Sequence, residues 1–379
     1  MKIILATPLY PPEIDGLAVY SQELAERLKT NYQLTILAYA NQAEKITGAN
    51  FVIINKHRPL AARLWSYTLK LFTLAGANDL IYALNAVASG LPAVLVGWLR
   101  RRPVVINFFE DEPWKRATAL GYTNLALEDF LREPRKNFKV TIISKIQGWV
   151  LRRASVVLVS SQALATVIEQ NYNVPAKKII VNYLAPPKDE ILPLEMRVIP
   201  QQIMAGGPLF DWAGYSVLLH AVAELKNDFG DLRLIISGEG PEREKLEKLV
   251  AELNIKNQVI FLGQVSRAEN YYWRHCSQIY VHNFIKSDFS ERLILTLAGG
   301  TPLVAAATPL ARELIVHQSN GLLVKPGSLP ELTKNIRLLL TDESLRRQII
   351  SEIKKNLTDI FSWVSHQRRL DNLFSSLKK

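Results

Sequence analysis

The stretch AGGPLFDWAG, residues 205–214, lies between the apolar run RVIPQQIM and the helically spaced YSVLLHAVAEL. Glycines at such a junction let backbone approach a ligand closely, and a phosphate held there normally needs a cation nearby. None of these ten residues is Lys or Arg. A second glycine turn, SGEGPE at 237–242, places Gly238 and Gly240 ahead of Pro241, whose missing N–H costs nothing in a first helical turn. Backbone N–H groups at that helix start favour an anion. The turn lacks the third glycine of a dinucleotide fingerprint, which argues against a dehydrogenase.

Other stretches carry chemistry or an ordinary structural role. PPEIDGLAVYSQELAERL (11–28) sets Gly16 in the first strand-to-helix loop, either for close approach to phosphate or sugar or as part of a flexible loop. VVINFFEDEPW (104–114) ends a strand on Glu110, Asp111 and Glu112. Such a cluster orients a hydroxyl or acts as a base when it faces a cleft, and is otherwise an exposed acidic loop. FIKSDFSERLILTLAGGTPLVAA (284–306) ends a strand near Phe284 and opens a helix with Ser287, Asp288 and Ser290 as caps. That places Ser287 to Glu291 toward an interdomain cleft. His275, Cys276 and His282 fit no common zinc spacing, so they are read as structural and no metal is expected.

These loops need a scaffold. At 379 residues, with 48% apolar and 21% charged residues, the chain suits two globular domains. Its single cysteine fits a reducing compartment. MKIILATPLYPPE reads as a first strand rather than a leader, and VASGLPAVLVGWL (87–99) is too short and too interrupted to span a bilayer. The expectation is a cytoplasmic protein. Through Lys188 there are 23 basic against 13 acidic residues, whereas the remainder has 23 against 22. A basic first half suits phosphate-bearing substrates or peripheral contact with acidic phospholipid at the inner membrane face. Nucleic acid is not expected, because no recognised module and no interleaved aromatics accompany the charge.

Strand, loop and helix alternate along the chain. KIILAT, YQLTILAY, NFVIIN, DLIYAL, RPVVINFF, ASVVLVSS and KIIVNYL form one strand series. QQIMAGG, LRLIISGEG, QVIFLG, QIYVHNF, TPLVAAA and GLLVKPG form another. APPKDEILPLEMRVIP, rich in proline and charge, separates them as a linker. The reading is α/β: two doubly wound, parallel-sheet Rossmann-like domains, 1–190 and 198–361, facing across a cleft at the C-terminal strand ends. The basic amphipathic segment 362–379 closes the chain.

In this order the motifs resemble the retaining nucleotide-sugar glycosyltransferases of GT-B fold, in the large family four of glycogen-synthase-like and mannosyltransferase-like enzymes. The resemblance runs nearly end to end, through RRASVVLVSSQAL, GEGPEREKLEKLVAELNIKNQVIFLGQV, AGGTPLVAAA, NGLLVKPG and FSWVSHQRRLDNLF. It implies an acceptor-binding first domain, onto which the last helix packs, and a second domain that binds a nucleotide-diphosphate sugar. It implies donor contacts at Gly16, Gly207, Gly238, Gly240, Ser287, Asp288, Phe289, Ser290 and Glu291, with Asp111 or a backbone carbonyl orienting the acceptor hydroxyl and no further cofactor.

The chain departs from the family pattern at the charged positions. Gly207 and Gly214 match G-R-x4-K-G, but Pro208 replaces the arginine and Ala213 the lysine. The two glutamates of E-x7-E become Ser287 and Leu295, and Phe109 stands where many members have a histidine. Two functions follow as expectations. One is sugar transfer to a glycan or lipid-linked acceptor in surface polysaccharide or glycoconjugate synthesis. The other is a catalytically inactive relative that binds or scaffolds an active partner glycosyltransferase.

Overall fold

The apolar runs become strands, and every strand pairing is parallel. The computed structural model describes residues 1–379 except 14, 15, 43, 45, 77, 78, 135, 136, 187–196, 287–291, 358, 359 and 379. The chain divides into two units. The first comprises Met1–Thr123, Glu133–Tyr183 and Trp363–Lys379; the second comprises Asn124–Arg132 and Leu184–Ser362.

In chain order the first half reads β1 (Lys2–Thr7), α1 (Gly16–Asn31), β2 (Gln33–Tyr39), β3 (Asn50–Ile54), α2 (Leu60–Leu74), β4 (Asp79–Ala83) and α3 (Gly90–Arg100). It continues with β5 (Val104–Phe108), α4 (Glu112–Ala119), α5 (Leu127–Arg132), α6 (Phe138–Arg153), β6 (Val156–Val159), α7 (Gln162–Tyr172) and β7 (Ile179–Val181). The sheet order is β3-β2-β1-β4-β5-β6-β7, which reverses direction between β1 and β4. All five residues of β5 are buried, as expected for a central parallel strand covered on both faces.

The second half follows as β8 (Ile199–Gly206), α8 (Tyr215–Leu225), β9 (Arg233–Ser237), α9 (Arg243–Glu252), β10 (Val259–Gly263), α10 (Arg267–Cys276) and β11 (Ser277–His282). Then come α11 (Arg292–Gly299), β12 (Leu303–Ala306), α12 (Pro309–Leu314), β13 (Leu322–Val324), α13 (Leu329–Thr341) and α14 (Glu343–Leu357). The sheet order is β10-β9-β8-β11-β12-β13, with its reversal between β8 and β11. In such sheets ligands bind outside the carboxyl ends of the strands at the reversal.

Helix α15 (Trp363–Ser376) returns to the first unit. Tyr32 donates to Asp371 at 2.7 Å, and the Phe374 ring meets Tyr82 edge-on at 5.5 Å. A second excursion is not visible in the sequence pattern: residues 124–132, including α5, belong to the second unit. There the Trp212 indole N–H donates to the Asn124 carbonyl at 2.9 Å, and Lys286 pairs with Asp129 at 3.3 Å. Among the described residues no helix is long and apolar enough to cross a membrane.

Candidate functional site

At the C-terminal edge of the second sheet, the loop after β8 is sewn to the loop after β9. Gly207 N–H donates to the Ser237 carbonyl at 2.9 Å, Leu209 N–H to that of Glu239 at 3.0 Å, and Glu242 N–H to that of Leu209 at 3.0 Å. This packing explains the glycines. A Cβ on Gly238, at φ +132°, would lie 1.9 Å from the Gly207 carbonyl oxygen. One on Gly240 would lie 2.4 Å from that of Leu209. Gly207, Gly238 and Gly240 do come together, but the backbone they admit so closely is the chain's own.

Aromatic rings occupy the same edge. A Cβ on Gly207 would meet the Phe284 ring at 2.7 Å. Phe284 stacks on His282 at 4.5 Å and contacts Trp212 at 5.8 Å, and Trp212 lies parallel to Phe210 at 5.4 Å. Ala213 is only 2% exposed, and the space beside it, bounded by Ala205, Leu218, Val281 and Phe284, is too small for a water molecule. Ala213 is therefore packed into the core, while Pro208 is half-buried.

Sequence reasoning missed Lys286. Ile285 N–H donates to the Trp212 carbonyl at 2.9 Å, so Lys286 emerges beside the 207–214 loop. Its side chain is 43% exposed. Ser287, Asp288, Phe289, Ser290 and Glu291 lie outside the described residues. Leu295, on α11, is half-buried.

In the first unit the acidic cluster divides: Glu110 is exposed, Glu112 half-buried and Asp111 buried. Asp111 is 1% exposed and caps α4, accepting from Trp114 N–H at 2.9 Å. It also accepts from the Gln147 amide at 2.7 Å and from the Tyr172 hydroxyl. Burial first, and then the Asp111 carboxylate, hold the Tyr172 phenol well above its ordinary pKa. Glu110 pairs with Lys115, and Glu112 pairs with Arg116 at 2.5 Å. Local sequence dictates this: an aspartate followed by Glu112-Pro113 is a helix start, with Pro113 in the first turn.

Phe109 is half-buried. It meets Tyr20 edge-on at 4.9 Å, and Tyr20 stacks on Trp363 at 5.7 Å. His366 Nδ1 faces the Tyr183 carbonyl at 2.9 Å, so that nitrogen carries the proton, and Nε2 accepts from the Tyr20 hydroxyl at 2.8 Å. Burial, with smaller contributions from Arg369 and Arg27, pushes His366 down to about 4, although the Tyr183 bond opposes this. Gly16 is exposed at the first position of α1.

Two parallel-sheet units with glycine-rich strand ends define the class, and the comparisons name it. The model of the glycosyl transferase 4-like domain matches residues 15–185, and that of the glycosyl transferases group 1 matches residues 200–356. The chain belongs to the family-four-like glycosyltransferases of GT-B fold. An uncharacterized glycosyltransferase of Methanocaldococcus jannaschii is 22% identical over 99% of this chain and 98% of its own length. A Campylobacter jejuni transferase, named for adding N-acetylgalactosamine to a diphospho-undecaprenol-linked sugar, is 25% identical over 58% of this chain and 60% of its own. Two further relatives, from M. jannaschii and Haemophilus influenzae, are matched over only 44% and 45% of their length. Anabaena HepE, solved in complex with UDP, shares the fold at TM-score 0.73 and 21% identity, over 99% of this chain and 100% of HepE.

Proposed function

We propose that this chain transfers a sugar, with retention of configuration, from a nucleotide-diphosphate donor to a glycan or lipid-linked acceptor in the assembly of a surface polysaccharide or glycoconjugate. The observation that carries this reading is Lys286, a cation beside the glycine loop of the second unit where the family's own cations are missing. Its exposed pairing with Asp129 is worth at most about 1 kcal/mol. A hydrogen bond to a charged phosphate is worth roughly 1.5–3 kcal/mol, so an incoming diphosphate would draw the ammonium away from that carboxylate. In the reaction, the bond from the sugar's anomeric carbon to the nucleotide breaks while the acceptor oxygen bonds on the same face. The departing phosphate oxygen takes the acceptor's proton. Asp111, fully engaged inside the first unit, holds α4 and α6 together in this account and leaves the proton to the donor. UDP bound to HepE and the lipid-linked substrate in the Campylobacter enzyme's name are consistent with the substrate classes.

A second reading, a non-catalytic partner of an active glycosyltransferase, is favoured by Pro208 and the buried Ala213. Calorimetric titration with UDP, UDP-glucose, UDP-N-acetylglucosamine and GDP-mannose separates the two. The transferase reading expects at least one donor to bind, Lys286→Ala to weaken it by about tenfold, and nucleotide to be released when acceptor is added. No binding by any of the four, with the chain folded, overturns it in favour of the partner.

A further inference from the structure

A cavity lies wholly within the first unit, at the edge opposite its C-terminal strand ends. It has a volume of about 1020 Å³ and opens where Met1 precedes β1, Val104 begins β5 and Ser155 precedes β6. Helices α3, α6 and α15 all end there. Among the described residues four basic side chains line it, Arg101, Arg102, Arg153 and Lys378, and no acidic side chain does. Basic residues at helix C-termini are ordinary, because each helix end carries roughly half a negative charge. Three ends offset about 1.5 charges, so a positive surplus remains even with Arg102 set aside. None of the ion pairs formed among the described residues of this unit includes Arg101, Arg153 or Lys378. Lys178, beside the end of α6, has its pKa lowered by burial first and then by Lys177 and Arg153, as crowded cations require.

The rest of the lining is apolar and spreads outward. Val94, Leu95, Trp149 and Leu377 face the cavity, and Trp98 at its rim is 73% exposed. Leu99, next in α3, is 59% exposed, and α2, which packs on α3, exposes Leu69 at 53% and Trp65 at 70%. Arg100, whose guanidinium sits 3.8 Å over the Phe72 ring, ties the two helices together. A soluble anion such as a nucleotide would use the cations and leave this apolar rim in water. An exposed tryptophan at the rim of a basic recess matches a bilayer surface, where the indole enters the headgroup layer and the cations meet lipid phosphate.

We propose that this cavity seats the phosphate headgroup and upper acyl chain of an anionic phospholipid, docking the first unit on a membrane surface. The seat is independent of the donor reading, since it involves no residue of the second unit. Vesicle co-sedimentation of the full chain, without donor or acceptor, tests it. The chain is expected to bind mixed phosphatidylglycerol–phosphatidylcholine vesicles and to leave pure phosphatidylcholine in solution. Arg101→Ala with Arg153→Ala should weaken partitioning roughly twentyfold, about fivefold for each cation. Trp98→Ala should weaken it without changing the melting temperature, because that side chain is mostly solvent-exposed. The proposal is overturned by equal binding to neutral vesicles. It is also overturned if Lys248→Ala with Lys256→Ala, removing two exposed cations of the second unit, matters as much as the Arg101 and Arg153 pair. Free glycerol phosphate competing as well as vesicles would replace the lipid by a soluble anion. A change of oligomeric state in the Trp98 variant, with vesicle binding intact, would replace it by a second copy of the chain.

Discussion

The loop after β5 in the first unit and the loop after β8 in the second hold comparable places at the C-terminal ends of their sheets, and they are closed by different physics. Around Phe109 and Asp111 the closure is made by side chains: a carboxylate with three donors, and a phenylalanine boxed by Tyr20, whose hydroxyl bonds a neutral histidine. Around Gly207 to Ala213 it is made by backbone, with glycines that admit neighbouring carbonyls and rings filling the remaining space. A side-chain closure depends on protonation. A backbone closure depends on the absence of a Cβ. The two units should therefore fail under different insults.

The largest effect belongs to the second unit. Gly238→Ala puts a methyl 1.9 Å from the Gly207 carbonyl at a φ that L-residues rarely adopt. Loss of stability on the order of 4 kcal/mol or more is expected in denaturant titration. Gly230→Ala, with nothing within 4 Å of the added methyl, should stay within about 0.5 kcal/mol. Equal costs for the two would mean that the loops are not sewn together as described.

Acid should strike the first unit next. His366 is held neutral with a folded pKa of about 4, below the ordinary 6.5. Between those values the unfolded chain binds the extra proton, so stability rises with pH across that window and is complete above it. Lowering the pH from 6.5 to 4 should remove about 3 kcal/mol, and His366→Gln, which cannot titrate, should flatten the slope. Hydrogen exchange would place the loss at α15, Tyr20 and Tyr183. An unchanged slope in the variant would assign the acid sensitivity to other groups.

The contrast also shows what could be read in advance. Parallel strands with long apolar runs announce themselves, and both sheets follow from that signal. The glycines at 207, 238 and 240 announce close approach, but a sequence does not say whether the approaching atom is a ligand's or the chain's own. The block from 112 to 153 is less legible. The β-branched run Val140-Thr141-Ile142-Ile143 looks like a strand yet lies inside α6, whose start is set by the Asn137 cap. Asp111 is a cap for the same local reason, and its carboxylate is what offered it as a candidate for orienting the acceptor hydroxyl. His366 bonds a partner 346 residues away and Lys286 pairs with one 157 residues away, which no local pattern encodes.

The smallest effect is the most informative about function. The resemblance sets an arginine at Pro208 and a lysine at Ala213, and introducing them one at a time separates exposure from chemistry. Pro208 is half-buried at the loop surface, so Pro208→Arg adds a guanidinium that reaches solvent without displacing the core. UDP affinity by calorimetry should then rise about tenfold, roughly 1.4 kcal/mol, with thermal stability nearly unchanged. Ala213→Lys meets the opposite circumstance. At 2% exposure, in a space that holds no water, a lysine must either bury its ammonium or push Phe284 off Gly207, so stability falls and affinity gains nothing. If Ala213→Lys were instead tolerated and the nucleotide bound more tightly, the ring-filled edge would be openable, and the backbone closure would be a resting state of a working donor site. If Pro208→Arg left binding unchanged while Lys286→Ala abolished it, a single lysine would already do what the family assigns to two cations.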